Sequence, residues 1–217
     1  MNVSKKHAIK VLIADDHEVV RQGIKTILSE TQDLCVVGEA ENGNEVLKMV
    51  RDLEVDVVLL DYEMPGKNGL DTLIDLKSIR PQLPVIILSI FPEDHYGTRF
   101  LKAGAAGYLG KASASQQLVE AVRKVARGGT FVSPSLTDKL VFQLNKDLEK
   151  LPHESLTDRE FQVLHLIASG KKLKSIAVEL SISINTVSTY RSRILGKMGL
   201  ESNAELIHYA LKNGLIK

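Results

Sequence analysis

Five polar side chains stand at the ends of short apolar segments in the first half of the chain. IKVLIAD runs into Asp15 and Asp16, DVVLLD ends at Asp61, PVIILS ends at Ser89, and AGYLG is followed by Lys111. Open parallel sheets bind ligands beyond the carboxyl ends of their strands. Carboxylates grouped there repel one another and raise each other's pKa values unless a cation lies among them. The pattern therefore predicts a site for a hard dication with oxygen ligands, and Mg²⁺ is the expected ion.

Such a site could carry phosphoryl chemistry. With its charge balanced by a metal, Asp61 could attack phosphorus and form an aspartyl phosphate. Lys111 could hold one phosphoryl oxygen as a point charge, and Ser89 could bond another. Acidic residues also occur at strand ends simply because strands end at the surface, but four matching strand ends together favour a site. His17, directly after the acidic pair, is predicted to be a solvated histidine at a helix start rather than a ligand.

The elements that must position these residues alternate between two periods. The segments IKVLIAD, LCVVGEA, DVVLLD, PVIILS and AGYLG are short and rich in β-branched residues, and most are close to continuously apolar, as is typical of parallel strands buried on both faces. Helical spacing separates them, for example over 17–30 and over 113–127, where Ser113 or Ser115 is the expected N-cap. Residues 1–130 are therefore predicted to form a five-stranded, parallel, doubly wound α/β domain.

The rest of the chain is predicted to be helical. Residues 131–154 are interpreted as a linker that contains a helix in LTDKLVFQLNKDLEK. Residues 155–217 then show four helical patterns. Thr157 and Glu160 form a capping-box pattern, and Gly170 and Gly199 mark two helix ends. Two short, closely linked helices within this region fit a helix-turn-helix module.

Composition indicates a globular protein with two unlike halves. Hydrophobic residues make up 44% of the 217 residues and charged residues 25%. No apolar run approaches the roughly 20 residues that a membrane-spanning helix needs, and the polar N-terminus lacks a signal core, so we expect a cytoplasmic protein without a membrane partner. Residues 155–217 hold nine Lys or Arg against five Asp or Glu, whereas residues 1–130 hold 16 against 18. This asymmetry indicates different partners for the two halves.

The segment 185–198 has one apolar face and one polar face. Val187, Tyr190, Ile194 and Met198 fall on an apolar stripe. The opposite face and its margins carry Asn185, Ser188, Thr189, Ser192, Arg193 and Gly196. A short polar face of this kind can enter the major groove of DNA, and the lysines of the preceding helix, Lys172 and Lys174, suit phosphate contacts. The alternative from composition alone is a solvated face on a small helical bundle.

The motifs IADDH, LLDYEMPGKNG, ILS and GAAGYLGK resemble a bacterial response-regulator receiver domain over about residues 8–130. The resemblance implies that Asp61 is the phosphoacceptor for a histidine kinase. It implies that Asp16 ligates Mg²⁺ directly, Asp15 through water and Glu63 through its backbone carbonyl. Three further positions match the switch hydroxyl, the switch aromatic residue and the phosphate-binding lysine of that family, namely Ser89, Tyr108 and Lys111. A phosphoryl group would draw Ser89 toward itself, and Tyr108 would turn inward into the vacated space.

Residues 155–216 resemble the four-helix helix-turn-helix domain of the LuxR and NarL/FixJ type. By position, Ser188, Thr189 and Ser192 match base-facing residues, whereas Arg191 and Lys197 match contacts to the DNA backbone. Ser188 stands where lysine is common and Tyr190 where histidine is common, so the DNA sequence preference cannot be transferred from other members. The last helix matches the segment with which these domains dimerise on DNA.

The leading hypothesis is a two-component transcription factor in which phosphorylation of Asp61 controls dimerisation and promoter binding, and which has no enzymatic activity beyond the chemistry of its own phosphorylation. One alternative is a Mg²⁺-dependent phosphatase that forms an aspartyl phosphate, since Glu63 stands two residues after Asp61. Another is a DNA-binding regulator that is constitutively dimeric and independent of phosphorylation.

Overall fold

A computed structural model describes residues 8–91, 93–134, 136–138 and 151–216. The chain separates into two compact units, Met1–Asn145 and Lys146–Lys217. Most of the helix predicted in the linker, residues 139–150, lies outside the described residues. Within the described part of the chain, no helix is both long and apolar enough to span a bilayer.

In its described residues, the first unit is a parallel sheet whose five strands alternate with five helices, as predicted. The strands have the order β2-β1-β3-β4-β5, and all pairs are parallel. The elements are β1 Ile9–Ala14, α1 Glu18–Ser29, β2 Leu34–Ala40, α2 Gly43–Asp52, β3 Val57–Asp61, α3 Gly69–Ile79, β4 Val85–Ser89, α4 Glu93–Lys102, β5 Gly107–Gly110 and α5 Ala114–Ala126.

The register of the sheet brings the polar strand ends together. Every residue of β3 and β4 is buried, which explains their continuously apolar sequences. Ala14 pairs with Leu60, so the residues that follow them, Asp15 and Asp61, leave neighbouring strands at the same level. Ser89 pairs with Gly110 on the other side, which places Lys111 directly after that pair.

Glycine is required where α3 begins, beside Asp61. A Cβ on Gly69 would lie 2.5 Å from the carbonyl oxygen of Asp61. The side chain of Asn68 caps this helix by accepting a hydrogen bond from the Asp71 N–H. Of the two serines expected to cap α5, Ser113 occupies the N-cap position and Ser115 lies inside the helix. The Ser113 side chain does not cap the helix, because its hydroxyl donates to the Gly110 carbonyl instead.

The second unit is all-helical, as predicted. A 3₁₀ turn, Pro152–Ser155, precedes α6 Asp158–Ala168, α7 Leu173–Glu179, α8 Ile184–Met198 and α9 Asn203–Lys212. The predicted capping box at Thr157 and Glu160 is present. Gly199 ends α8 in the left-handed conformation with φ of 65°, which a residue with a Cβ rarely adopts.

Candidate functional site

The ammonium group of Lys111 bridges two buried carboxylates at the edge of the sheet. Its Nζ lies 2.8 Å from Asp15 Oδ2 and 2.9 Å from Asp61 Oδ2. The two acidic side chains are almost completely inaccessible, with exposures of 0% and 1%. Charged groups are buried at this depth only when they are paired, so the structure brings together three of the residues predicted to act in phosphoryl chemistry.

The protonation of these groups follows from burial and from their mutual charges. Burial raises the pKa of Asp61 and Asp15 raises it further, while Lys111 acts in the opposite direction. Burial lowers the pKa of Lys111, but the two carboxylates outweigh that effect and raise it above its usual value. The cation is thus held in its charged form beside the Asp61 carboxylate.

An acidic cluster suited to a metal ion surrounds the same point. One ligand atom from each of Asp15, Asp16, His17 and Asp61 lies within 4.8 Å of the others. Carboxylate oxygens from three residues are donors that a hard dication prefers, so the cluster is compatible with metal binding. Glu63 lies in the loop after β3, where its backbone N–H donates to Asp61 Oδ1 at 3.3 Å.

His17 contacts this cluster, which the sequence did not predict. Its side chain is 65% exposed, consistent with a solvated histidine, yet Nδ1 lies 2.8 Å from Asp16 Oδ1 and 3.2 Å from Asp15 Oδ1. Its backbone N–H also donates to Asp15 Oδ1. The available signal was its position, because the residue that begins a helix directly after an acidic pair is held close to both carboxylates.

Tyr108 already lies inward in this structure. Its side chain is buried, and its hydroxyl donates to the Phe91 carbonyl at 2.9 Å. The Phe91 N–H donates to the Ser89 hydroxyl oxygen at 3.0 Å, and the Lys111 N–H donates to the Ser89 carbonyl. The ring is therefore already inward in this structure, and the predicted coupling of its position to a movement of Ser89 stays a prediction.

An aromatic cluster holds the loop between β4 and α4. The Phe91 ring stacks on Tyr96 with 4.8 Å between centroids, and Tyr62 meets Phe91 edge-on at 5.8 Å. Phe100 contacts Tyr62 and Tyr108 at 5.2 and 5.8 Å. Such ring pairs add to the free energy of burial. The cluster joins Tyr62, the residue after Asp61, to α4 and β5, a connection that no sequence pattern indicated.

The predicted DNA-facing side of α8 is exposed. Val187, Ile194 and Met198 are buried in the second unit, and Tyr190 is half-buried. The exposed side chains include most of the predicted contacts, namely Lys172, Lys174, Asn185, Ser188, Thr189, Ser192 and Arg193. The Thr189 hydroxyl donates to the Asn185 carbonyl at 2.9 Å, so its oxygen remains available as an acceptor.

Two predicted contacts to the DNA backbone have partners within the unit. Arg191 Nε donates to Asn203 Oδ1 at 2.6 Å. Lys197 Nζ lies 2.6 Å from Oε2 of the buried Glu160. The Lys197 side chain itself is 40% exposed. Asn203 and Glu160 were not predicted as partners of these cations, because each contact joins two helices and leaves no periodic signal.

Comparison with known families assigns both units. The family described as "Response regulator receiver domain" matches residues 11–123, and "Bacterial regulatory proteins, luxR family" matches residues 154–210. The chain is a response regulator of the NarL/FixJ type. Response regulators that join these two domains are DNA-binding transcription regulators, and the same holds for this chain.

Known response regulators match this chain along nearly their whole length. The chain is 38% identical to the response regulator GacA of Pseudomonas aeruginosa over 209 residues, covering 96% of this chain and 98% of GacA. It is 36% identical to the response regulator UvrY of Escherichia coli, with 95% of both chains covered.

Solved response regulators have the same architecture. The RcsB response regulator of Salmonella typhimurium aligns with a TM-score of 0.64 at 27% identity, over 94% of this chain and 96% of RcsB. The response regulator ChrA of a heme-sensing two-component system aligns with a TM-score of 0.52 at 30% identity, over 96% of this chain and 99% of ChrA. One RcsB structure is described as a complex with DNA.

Proposed function

We propose that this response regulator accepts a phosphoryl group from a sensor histidine kinase on Asp61, and that phosphorylation controls its dimerisation and its binding to promoter DNA. The observation that carries the proposal is the Lys111 ammonium between Asp15 and Asp61, at 2.8 and 2.9 Å. The proposal is supported by a carboxylate oxygen and a paired ammonium group that lie at the same edge of the sheet. The Lys111 ammonium group could then donate a hydrogen bond to a phosphoryl oxygen on Asp61.

The phosphoryl transfer forms one O–P bond and breaks one N–P bond. An Asp61 carboxylate oxygen attacks phosphorus, the N–P bond of the kinase phosphohistidine breaks, and the imidazole leaves with the electron pair. Lys111 stays protonated and holds one phosphoryl oxygen, and the Ser89 hydroxyl donates to another. Asp15, Asp16 and Asp61, with the Glu63 carbonyl, would hold Mg²⁺, which offsets the negative charge gathered there.

DNA binding is assigned to the exposed side of α8. In this proposal the exposed side chains of Asn185, Ser188, Thr189 and Ser192 read base edges. The cationic groups of Lys172, Lys174 and Arg193 contact phosphates. The structures of RcsB with DNA and of RcsB dimers on DNA support DNA binding and dimerisation by this chain. The dimerisation helix in this proposal is α9, because it matches the segment with which LuxR-type domains dimerise. The LuxR-type domain favours a DNA-binding regulator over a phosphatase. In this proposal the regulator acts in the cytoplasm, and its only catalysis is the formation and loss of its own acyl phosphate.

The test is labelling with a small phosphodonor. Wild-type protein with acetyl phosphate and Mg²⁺ should gain one phosphoryl group, and Asp61→Asn should gain none. Asp52→Asn, which changes an exposed carboxylate, is the matched control and should be labelled like wild type. Removal of Mg²⁺ by a chelator should stop the reaction. Labelling of Asp61→Asn at another residue would refute the site, and promoter binding that does not respond to labelling would favour the constitutive regulator.

A further inference from the structure

The residues that follow α5 bind back onto the receiver domain. This segment, residues 131–134 and 136–138, is called the strap. The Phe131 N–H donates to the Ala106 carbonyl at 2.9 Å, and the Phe131 carbonyl accepts from the Tyr108 N–H at 3.1 Å. The strap therefore extends the sheet beyond β5 by one bridge and binds the backbone of the switch aromatic residue itself.

The strap also binds α4. The Ser133 N–H donates to Glu93 Oε1 at 2.8 Å, and the Ser133 hydroxyl accepts from the Leu136 N–H to begin a helical turn. Leu136 is fully buried. Its methyl group occupies the space above Gly97, where a Cβ would lie only 2.4 Å from Leu136 Cδ2. The glycine thus provides the groove into which the leucine fits.

The strap binds α4, whose rings pack against Phe91 and Tyr108, and it binds the backbone of β5, which carries Tyr108 itself. Tyr96, next to Gly97, stacks on Phe91, and Phe91 accepts the Tyr108 hydroxyl. Phe91 in turn donates its N–H to the Ser89 hydroxyl oxygen, so it links Tyr108 to Ser89. A displacement of α4 would loosen this chain of contacts from one end, and a loss of the Phe131 bridge would loosen it from the other.

We propose that the strap is a positioning element of the phosphoacceptor site, in which Leu136 and Phe131 hold α4 and Tyr108 in the inward arrangement that lets Ser89 bond a phosphoryl oxygen. This inference rests on the proposed phosphorylation of Asp61. Coupling between two sites is reciprocal, so phosphorylation tightens the strap as much as the docked strap favours phosphorylation. The strap is also the first part of the linker, residues 131–154, which leads to the DNA-binding domain in the sequence. A change in how tightly the strap is held therefore transmits the phosphorylation state to the start of the linker.

The test uses two glycines in helices. Gly97→Ala fills the groove and displaces Leu136, although alanine favours helix more than glycine does. Gly23→Ala on α1 meets no atom within 4 Å and is the matched control. In Gly97→Ala, the strap amides should exchange with deuterium about tenfold faster than in the control. At a limiting acetyl phosphate concentration, the labelled fraction of Asp61 should fall about fivefold or more.

A second variant separates positioning from damage to α4. Leu136→Ala releases the strap without changing α4, and it should also lower labelling and speed amide exchange at residues 89–91. The double variant should resemble Leu136→Ala, because the smaller side chain makes room for Ala at position 97. Full labelling of both single variants despite a released strap would overturn the inference, as would strap exchange that is unchanged when the wild type is phosphorylated. If wild type is not labelled at all, the proposed function fails, and the strap is judged by exchange at residues 89–91 alone.

Discussion

Lys197 on α8 is ion-paired with Glu160 on α6, with 2.6 Å between Nζ and Oε2. The same carboxylate oxygen accepts the Thr157 N–H and completes the capping box. One buried carboxylate thus fixes the start of α6 and ties it to the end of α8. A lysine predicted from the sequence to contact DNA phosphate has a structural partner, which leaves less of its charge for DNA.

Replacing Lys197 by alanine should destabilise the second unit in a pH-dependent way. Burial opposes ionisation of Glu160, but hydrogen bonds from Lys197 and Thr157 outweigh it and lower the pKa of this carboxyl. A lowered pKa stabilises the fold above the ordinary glutamate pKa, and this stabilisation is lost as the pH falls through the folded-state value. Lys197→Ala should cost about 1–3 kcal/mol at neutral pH and less in acid.

Urea unfolding of the full chain at neutral and acidic pH measures this difference. Lys212→Ala, which removes an exposed lysine on α9, is the control and should change little at either pH. An equal loss of stability for Lys197→Ala at both pH values would show that the pair contributes nothing through the charge of Glu160.

Removing the Asp61 charge should stabilise the receiver domain at neutral pH. Burial and the neighbouring Asp15 raise the pKa of Asp61 despite Lys111. For a raised pKa, the stabilising contribution is present below the ordinary aspartate pKa and is lost as the pH rises through the folded-state value. Asp61→Asn should therefore melt at a higher temperature than wild type at neutral pH, and the gap should close in acid. Calorimetry across this range without metal checks it, and a lower melting temperature at neutral pH would contradict it.

Asn203 should matter for DNA binding although it is not predicted to touch DNA. Its Oδ1 accepts from Arg191 Nε at 2.6 Å, which fixes the guanidinium while the terminal nitrogens stay available to a phosphate. Asn203→Ala should weaken DNA binding about threefold to tenfold and lower the salt slope by up to about one, as expected for loss of one phosphate contact. Arg191→Ala is the companion variant. If Asn203→Ala weakens binding equally in the Arg191→Ala background, the two residues act separately.

Thr189 should contribute to sequence preference rather than to general affinity. Its hydroxyl hydrogen is already donated to the Asn185 carbonyl, so it can offer a base only its oxygen as acceptor and its methyl group. Thr189→Ala should weaken binding to the cognate promoter by about 1 kcal/mol, at the lower end of a base contact, and leave non-specific binding nearly unchanged. Competition assays with specific and random duplexes measure both. Equal losses would reassign Thr189 to the DNA backbone.

The sequence predicted the sheet and the acidic site well because both have local signals. Continuous apolar segments identify buried parallel strands, and polar residues at their ends predicted the convergence of Asp15, Asp61 and Lys111. Contacts between distant segments have no such signal. The fit of Leu136 against Gly97 and the pairing of Lys197 with Glu160 depend on how helices pack.

The side-chain position of Tyr108 could not be predicted for a related reason. The receiver-domain resemblance implied a switch aromatic at this position, but the orientation of the ring is fixed by the Phe91 carbonyl and by the Phe100 ring. These partners lie on α4 and in the loop before it, so only the folded structure shows that the ring lies inward.

The bridge between Phe131 and β5 also bears on solubility. β5 is an edge strand, and unpaired N–H and C=O groups on such an edge can template pairing with a strand from another molecule. Phe131 occupies the Tyr108 N–H and the Ala106 carbonyl, so at this point a foreign strand would first have to displace the chain's own segment. The residues that leave the receiver domain thereby also protect it from edge-to-edge aggregation.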